Sequence, residues 1–229
     1  MNPISERPAP KLYRKAAFTD AAFTQLEDCE FYTIEMQYPL LHMQNAVNRC
    51  LVRGAVRERL TAAAKLLPPG FRLKIWDAWR PFALQKELYH VYASQITEQF
   101  GLAGRPEEEI RGIIRQYVSE PADDRTLPPV HTTGGAVDVT VIDGNGRELD
   151  MGTAFDAFSE KTATAWFEAQ GDSTVRENRR LLYGVMRQAG FTNLPSEWWH
   201  YDYGDRFWAY YQNRPAKYKG IFTEEEVHE

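Results

Sequence analysis

Apolar residues recur at helical spacing between positions 55 and 67, and charged residues occupy the opposite side of the same segment. This is the pattern of an amphipathic helix with one buried face. Pro68 and Pro69 follow directly and cannot continue a helix, so the pattern predicts a helix over 55–67. Its apolar positions are Val56, Leu60, Ala63, Ala64 and Leu67.

Apolar and charged side chains alternate over 71–75, which is typical of a β-strand with one buried face. The chain continues through Trp76–Asp77–Ala78–Trp79–Arg80–Pro81, so Arg80 should lie where this strand ends. Apolar residues recur along one stripe after Pro81, as far as Ile96, and predict a second helix there.

The second half of the chain carries further predicted elements. A helix over 106–117 opens with three glutamates, which suit the positive end of a helix dipole. A strand over 137–141 alternates valines with polar residues, so Asp138 should face a cleft. A helix over 177–189 and a strand over 197–203 follow. Helices packed on a small, mostly antiparallel sheet make an α+β domain.

The 229 residues suffice for one large domain, and no proline-rich or repetitive tract marks a linker. We predict an extended amino-terminal arm over 1–20, one catalytic domain over 21–222 and an acidic tail over 223–229. Hydrophobic residues make up 43% of the chain and aromatic residues 13%, which is enough for a packed core and excludes a disordered protein.

Charge and hydropathy narrow the classes of function. Lys and Arg total 27 against 32 Asp and Glu, a net charge of -5, so nucleic acid is not an expected partner. The first residues lack the basic start and apolar run of a secretory signal, and no apolar stretch approaches a membrane span. We therefore expect a cytoplasmic protein with no membrane contact. The oligomeric state stays open.

Two histidines lie near carboxylates in a pattern that suggests a metal centre. His131 and Asp138 are an odd number of positions apart, so on one continuous strand they would face opposite sides. Gly134 and Gly135 lie between them and permit a backbone that folds the His131 loop back over the Asp138 face. With His200, these residues form a three-ligand set of the catalytic zinc type.

Glu197 lies three residues before His200. Both side chains face one metal only if the chain bends near Trp198 or Trp199. With that bend, Glu197 would be a general base for metal-assisted hydrolysis. The spacings also occur by chance, so a purely structural role stays open at this point.

Three motifs in this order resemble those of the D-alanyl-D-alanine dipeptidases: Trp79-Arg80-Pro81, H-x-x-G-x-A-x-D over 131–138, and Glu197-Trp198-Trp199-His200. Met151-Gly152 leading to Phe155-Asp156 adds to the resemblance. These enzymes are zinc DD-peptidases, related to D,D-carboxypeptidases, phage cell-wall endopeptidases and the amino-terminal domain of hedgehog proteins. The resemblance implies that fold, with the zinc site in a cleft on the sheet.

The resemblance implies one zinc ion per chain, held by His131, Asp138 and His200. It also implies that Glu197 is the catalytic base and that Arg80 stabilises the transition state. The residue types fit these roles, because an arginine is permanently cationic and offers several donors to an oxyanion.

Asp156 matches the family position that receives the free ammonium group of the substrate; a helix-capping role is the alternative. The chain departs from the family at Pro129, where a serine is common. Proline has neither a hydroxyl nor a backbone N–H. The resemblance therefore does not assign the group that holds the substrate carboxylate.

The implied activity is hydrolysis of the small dipeptide D-Ala-D-Ala to two D-alanines, in cell-wall precursor turnover or in glycopeptide resistance. One alternative is a D,D-carboxypeptidase or endopeptidase that acts on longer peptidoglycan peptides. Another is a zinc-containing binding module without catalysis. Glu197 and Arg80 together favour an enzyme, since a structural zinc site needs neither a base nor an oxyanion donor.

Overall fold

The computed structural model describes residues 2–19, 21–118, 120–169 and 173–227. Its strands are β1 (Phe23–Leu26), β2 (Tyr32–Ile34), β3 (Cys50–Arg53), β4 (Arg72–Asp77), β5 (Ala136–Ile142), β6 (Thr192–Asn193) and β7 (His200–Asp202). Its α-helices are α1 (Gln37–Leu40), α2 (Gly54–Ala64), α3 (Phe82–Gln99), α4 (Glu107–Ile114), α5 (Trp166–Ala169), α6 (Ser173–Gln188) and α7 (Arg206–Gln212). Short 3₁₀ helices cover Val130–Thr133, Glu160–Thr162 and Glu225–Val227.

A five-stranded sheet with the order β2-β4-β5-β7-β6 forms the centre of the fold. β2 pairs parallel with β4, and the other three pairings are antiparallel. β1 and β3 form a separate antiparallel pair. The prediction of an α+β fold with a mostly antiparallel sheet is confirmed.

The helices α2 and α6 cover one face of this sheet. The valines of β5 are fully buried in the same apolar cluster as Leu60 of α2 and Leu182 of α6. Burial of these apolar stripes against the sheet is the main force that assembles the layers. Because side chains alternate along β5, Asp138 lies on the other face, where it is also buried.

The predicted elements recur with shifted ends. The helix expected over 55–67 is α2 followed by a turn, and the strand expected over 71–75 continues to Asp77 in β4. The helix expected over 106–117 is the shorter α4, and α6 begins before position 177. The strand expected over 197–203 is wrong in its first half, because β7 begins only at His200 and backbone hydrogen bonds turn the chain before it.

The amino-terminal segment lies against the body of the fold. Ala17 N–H donates to the carbonyl of Ala216 over 2.8 Å, and the amide of the buried Ile4 donates to Glu168 over 2.9 Å. The segment predicted as an arm over 1–20 therefore packs against the rest of the chain at these contacts. Residues 1, 20, 228 and 229 of the predicted arm and tail lie outside the described residues. None of the described helices is both long enough and apolar enough to cross a bilayer.

Candidate metal centre and substrate site

His131 reaches the sheet through a tight reversal of the chain. It lies in the 3₁₀ helix over 130–133, which ends at Gly134 with a φ of 68°. A Cβ at Gly134 would lie 2.3 Å from the ring of Phe23, so both the conformation and the space require glycine. The chain then enters β5, and the His131 loop folds back over the face of that strand that carries Asp138.

The register of β5 and β7 brings the second histidine to the same place. Asp138 lies directly opposite His200 in this antiparallel pair, and opposed residues share a face of the sheet. Asp138 Oδ1 lies 3.0 Å from His200 Nδ1. His131 Nε2 lies 3.2 Å from the same nitrogen and 3.5 Å from Asp138 Oδ2. These three buried residues, the metal cluster, offer ligand atoms that all lie within 4.8 Å of one another.

The outer nitrogens of both imidazoles have acceptors that fix their protons. His131 Nδ1 donates to the carbonyl of Ala78 over 2.8 Å, and His200 Nε2 donates to Asp202 Oδ1 over 2.8 Å. The inner nitrogens, His131 Nε2 and His200 Nδ1, are therefore the ones that would offer lone pairs to a cation once it displaces any proton they carry. Two nitrogens and a carboxylate that converge in this way suit a divalent cation, and N and O ligands of this kind suit zinc. The donor set fits the metal that the sequence implies.

The charges within the metal cluster keep Asp138 ionised. Burial alone would raise the pKa of Asp138, but the imidazoles of His131 and His200 hold that pKa far below its usual range. Burial lowers the pKa of His200, yet the carboxylates of Asp202 and Asp138 outweigh it and the pKa lies well above the usual value. Asp138 is thus an anion at neutral pH, and His200 has a strong affinity for a cation, whether a proton or a metal.

Glu197 follows a turn and lies beside the metal cluster. The turn closes through His200 N–H, which donates to the carbonyl of Glu197 over 3.4 Å. This is the bend that the odd spacing required. Glu197 Oε2 lies 3.9 Å from His200 Nδ1. Burial, helped by the carboxylates of Asp138 and Asp156, raises the pKa of Glu197 to about 7. A carboxyl group with that pKa can both accept and return a proton near neutrality.

Arg80 lies just after β4 and is 8% exposed. Its Nε and Nη2 both donate to Asp77 Oδ2, over 2.9 and 2.8 Å, and Nη1 donates to Gln85 over 2.8 Å. Nη2 also donates to the hydroxyl of Tyr38 over 3.1 Å and lies 3.7 Å from Asp138 Oδ2. Since arginine has five N–H donors, these contacts leave one donor on Nη1 for a further acceptor.

A bulge in β4 orients Asp77 toward this site. Ile75 pairs with Val139 of β5, so a regular ladder would pair Asp77 with Val137 on the core side. The register shifts between Ile75 and Asp77, and Asp77 pairs with Asp138 instead. β-bulges redirect side chains in this way. Asp77 therefore reaches Arg80.

Asp156 lies in the loop after β5 with a φ of 55°, which is uncommon for a residue other than glycine. The hydroxyl of Tyr38 donates to its Oδ2 over 2.9 Å, and the hydroxyl of Tyr92 makes a short hydrogen bond to the same oxygen. We call these three residues the Asp156 cluster. Burial and the charge of Asp138 raise the pKa of Asp156 to about 6. Ser159 caps the 3₁₀ helix that follows, so Asp156 does not serve as its cap.

Two cavities adjoin the Asp156 cluster. The small cavity, of about 180 Å³, is lined by Tyr92, Asp156, Phe158, Ser196, Glu197 and Trp199 among others. The large cavity, of about 850 Å³, is lined by Glu35, Trp76, Tyr92, Asp150, Asp156 and Trp198 among others. The small cavity brings Glu197 and Asp156 to the lining of one space.

Pro129 lies directly before the His131 helix. Its carbonyl accepts hydrogen bonds from the amide and the hydroxyl of Thr132, over 3.1 and 2.7 Å. Pro129 therefore begins the 3₁₀ helix that carries His131 and offers no donor to a ligand.

Sequence reasoning missed several members of the site. Asp202 had a signal, because it lies two positions after His200 and so shares its face of a strand. The sequence signal for Asp77 was weaker and consisted only of its position three residues before Arg80. Tyr38 and Tyr92 had none, since they are 118 and 64 positions away from the carboxylate they bind.

Comparison with known protein families identifies a match over most of the chain. The model of the M15 peptidase family, described as D-Ala-D-Ala dipeptidase, matches residues 39–219. The chain belongs to this family. The matched segment contains all the residues to which the sequence motifs assigned a role, namely Arg80, His131, Asp138, Asp156, Glu197 and His200.

Curated relatives of this chain are named D-alanyl-D-alanine dipeptidase. The D-alanyl-D-alanine dipeptidase of Synechocystis sp. is 31% identical over 181 residues, which cover 72% of this chain and 73% of the relative. The enzyme of that name from Escherichia coli is 30% identical over 158 residues, with 67% of each chain covered. The one from Enterococcus faecium is 29% identical over 162 residues, with 68% and 74% covered.

Two solved structures align with this chain, one of the vancomycin-resistance D,D-pentapeptidase VanY and one of VanYB. A mutant in complex with Zn(II) aligns with a TM-score of 0.43 and 16% identity, over 81% of this chain and 88% of that one. VanYB in complex with D-alanine-D-alanine aligns with a TM-score of 0.44 and 17% identity, over 76% and 84%.

Proposed function

We propose that this protein is a zinc-dependent D-Ala-D-Ala dipeptidase, which hydrolyses the free dipeptide to two D-alanines. The observation that carries the proposal is the convergence of His131, Asp138 and His200 on one point, with Glu197 and Arg80 beside it. Family membership supports the substrate, because curated relatives at 28–31% identity bear the name of this activity.

The metal cluster would hold one zinc ion through His131 Nε2, a carboxylate oxygen of Asp138 and His200 Nδ1. When bound there, zinc would polarise the scissile carbonyl and lower the pKa of a water molecule. Ala78 and Asp202 keep the two imidazoles oriented through their outer nitrogens.

The residues of this chain divide the remaining work. Glu197 takes a proton from the attacking water as its oxygen bonds to the carbonyl carbon, and returns a proton to the leaving amine as the C–N bond breaks. Arg80 directs its remaining N–H toward the carbonyl oxygen, which gains negative charge in the transition state. Asp156 receives the ammonium group of the substrate in the small cavity, which Glu197 also lines.

The direct experiment measures release of D-alanine from D-Ala-D-Ala by the zinc-loaded protein, with N-acetyl-D-Ala-D-Ala as a parallel substrate. We expect hydrolysis of the free dipeptide, loss of activity in E197Q and retention of zinc in that variant. Lack of hydrolysis of the free dipeptide by zinc-loaded protein would contradict the proposal.

A D,D-carboxypeptidase acting on longer peptides is the second candidate. Pro129 favours it, because the chain lacks the serine that is common in dipeptidases at this position, and the large cavity adjoins Asp156. Cleavage of the acetylated substrate alone would support this reading. A binding module without catalysis is disfavoured, since Glu197 and Arg80 both lie within 4 Å of the metal cluster.

A further inference from the structure

Tyr92 and Asp156 are the two residues that line both cavities. On one side lies the small cavity with Glu197, and on the other lies the large cavity with Trp76 and Trp198. The contact between the Tyr92 hydroxyl and the Asp156 carboxylate therefore forms a partition between them. A substrate that extends from the small cavity into the large one has to pass this contact.

The hydrogen bonds of the Asp156 cluster are unevenly shared between its carboxylate oxygens. Both tyrosine hydroxyls donate to Oδ2. Oδ1 receives no hydrogen bond from the described residues, which leaves it as the oxygen available to a ligand. A substrate ammonium group is a donor of the required kind.

Tyr92 is held firmly in place. It lies in the middle of α3, and its ring packs edge-to-face on Phe158 at 5.3 Å. It also packs against the small apolar cluster that contains Tyr38 and Leu88. The same network links Asp156 to Arg80, because the Tyr38 hydroxyl accepts from Arg80 and donates to Asp156. Packing therefore holds the partition in place. The hydrogen bonds also fix its position relative to Arg80, which is expected to meet the scissile carbonyl.

We propose that Tyr92 is a specificity-determining residue that restricts the substrate to a free dipeptide, because it holds Asp156 toward the amino terminus and closes the small cavity against the large one. This inference rests on the proposed function. It assigns the exclusion of longer peptides to a residue that no sequence motif contains.

Two physical effects produce the discrimination. An acylated amino group carries no positive charge, so it leaves the half-buried carboxylate of Asp156 without its cationic partner, and a polar group left unpaired lowers affinity strongly. An acyl substituent directed toward the large cavity would also have to displace the ring of Tyr92. Removal of the ring should relieve the second effect, and removal of the hydroxyl alone should weaken the placement of Asp156.

The test compares kcat/KM for D-Ala-D-Ala and for N-acetyl-D-Ala-D-Ala in the zinc-loaded wild type, Y92F and Y92A. In Y92A we expect the ratio of the two values to fall by about tenfold or more, because kcat/KM falls for the free dipeptide and rises for the acetylated one. In Y92F we expect KM for the free dipeptide to rise by about tenfold with kcat little changed.

Tyr89 supplies a matched control. It lies on α3 one turn before Tyr92 and lines neither cavity, so Y89F and Y89A should keep the wild-type ratio. An unchanged ratio in folded Y92A would overturn the proposal. If Y92A does not fold, Y92F decides, and a KM equal to that of Y89F would overturn it.

Failure of the proposed activity gives a separate result. A wild type inactive on both substrates would contradict the dipeptidase proposal. The inference about Tyr92 would then be tested by calorimetry, which measures the affinity of each variant for the two compounds. The inference about Tyr92 is supported if the wild type binds D-Ala-D-Ala more tightly than its acetylated form and Y92A does not. Equal affinities of the wild type for both compounds would overturn it.

Discussion

The metal cluster and the Asp156 cluster hold their polar groups by different means. His131, Asp138 and His200 lie on or beside strands of the central sheet, and each is at most 5% exposed. Their orientation depends on backbone register and on acceptors close to the same strands. Asp156 lies in a loop at positive φ and depends on hydroxyl groups from two distant segments.

The difference explains which part of the site has a recognisable sequence signature. The residues of the metal cluster lie on or beside strands, within short segments whose residue pattern forms motifs. The Asp156 cluster is assembled by side chains with large sequence separation, and its tyrosines can vary without any change in the motifs. We therefore expect mutations in the metal cluster to affect turnover, and mutations in the Asp156 cluster to affect substrate choice and stability.

The largest effect should come from E197Q. The amide cannot accept the proton of the attacking water, so kcat should fall by about 10²- to 10⁴-fold. Zinc content, measured by atomic absorption, should stay at the wild-type value because Glu197 is not among the three expected ligands. Glu177, whose side chain is 46% exposed, provides a control in E177Q. Loss of zinc from E197Q would contradict the assignment of Glu197 as a base.

Replacement of Arg80 by lysine keeps the charge but loses the fork that holds Asp77 and Gln85. We expect kcat of R80K to fall by about 10²- to 10³-fold, since an oxyanion donor is removed. Steady-state kinetics on D-Ala-D-Ala measure this, with the exposed Arg147 as a control in R147K. A rise in KM with unchanged kcat would instead place Arg80 among the groups that only bind substrate.

The carboxylate behind His200 should tune metal affinity. Asp202 is fully buried and accepts from His200 Nε2 over 2.8 Å, so D202N should weaken zinc binding by about 10- to 100-fold. Competition with a chromogenic chelator measures the change, and D143N in a surface turn is the control. Wild-type affinity in D202N would show that backbone register alone orients the ligand.

Asp156 should have a measurable cost in stability. Its pKa is raised to about 6 in the fold, so the unfolded chain loses this proton first and wild-type stability falls as the pH rises from about 4 to about 6. D156N lacks this loss, and both tyrosines can still donate to its amide oxygen. We expect the variant to be about 1–3 kcal/mol more stable above pH 6.

Urea denaturation of D156N and wild type from about pH 4 to about pH 8 measures that difference. It should grow through the lower half of this range and level off in the upper half. A constant difference over the whole range would mean that Asp156 is not held in a desolvated site, and would remove the contrast with the metal cluster.

Much of the fold could be predicted from the hydrophobic pattern. The α2 helix, the strand before Arg80 and the strand with Asp138 follow from periods of 3.6 and 2, because each buries one apolar face. The predicted start of the strand at position 197 is wrong, since Pro195 and the aromatic residues after it show no periodicity that separates a turn from a strand. The parallel pairing of β2 and the pairing of β1 with β3 join segments whose contacts are not local, and no short pattern encodes them.

The sequence by itself determined the family and the fold class, and it singled out the residues of the metal cluster, because these depend on motifs of a few adjacent residues. The odd offset between His131 and Asp138 even indicated that a glycine reversal was needed, and Gly134 provides it. Only the tertiary structure decided that a bulge in β4 turns Asp77 toward Arg80, and that Tyr38 and Tyr92 converge on Asp156. Those contacts arise from strand register and from the packing of α3 against the loop after β5, which depend on the whole chain at once.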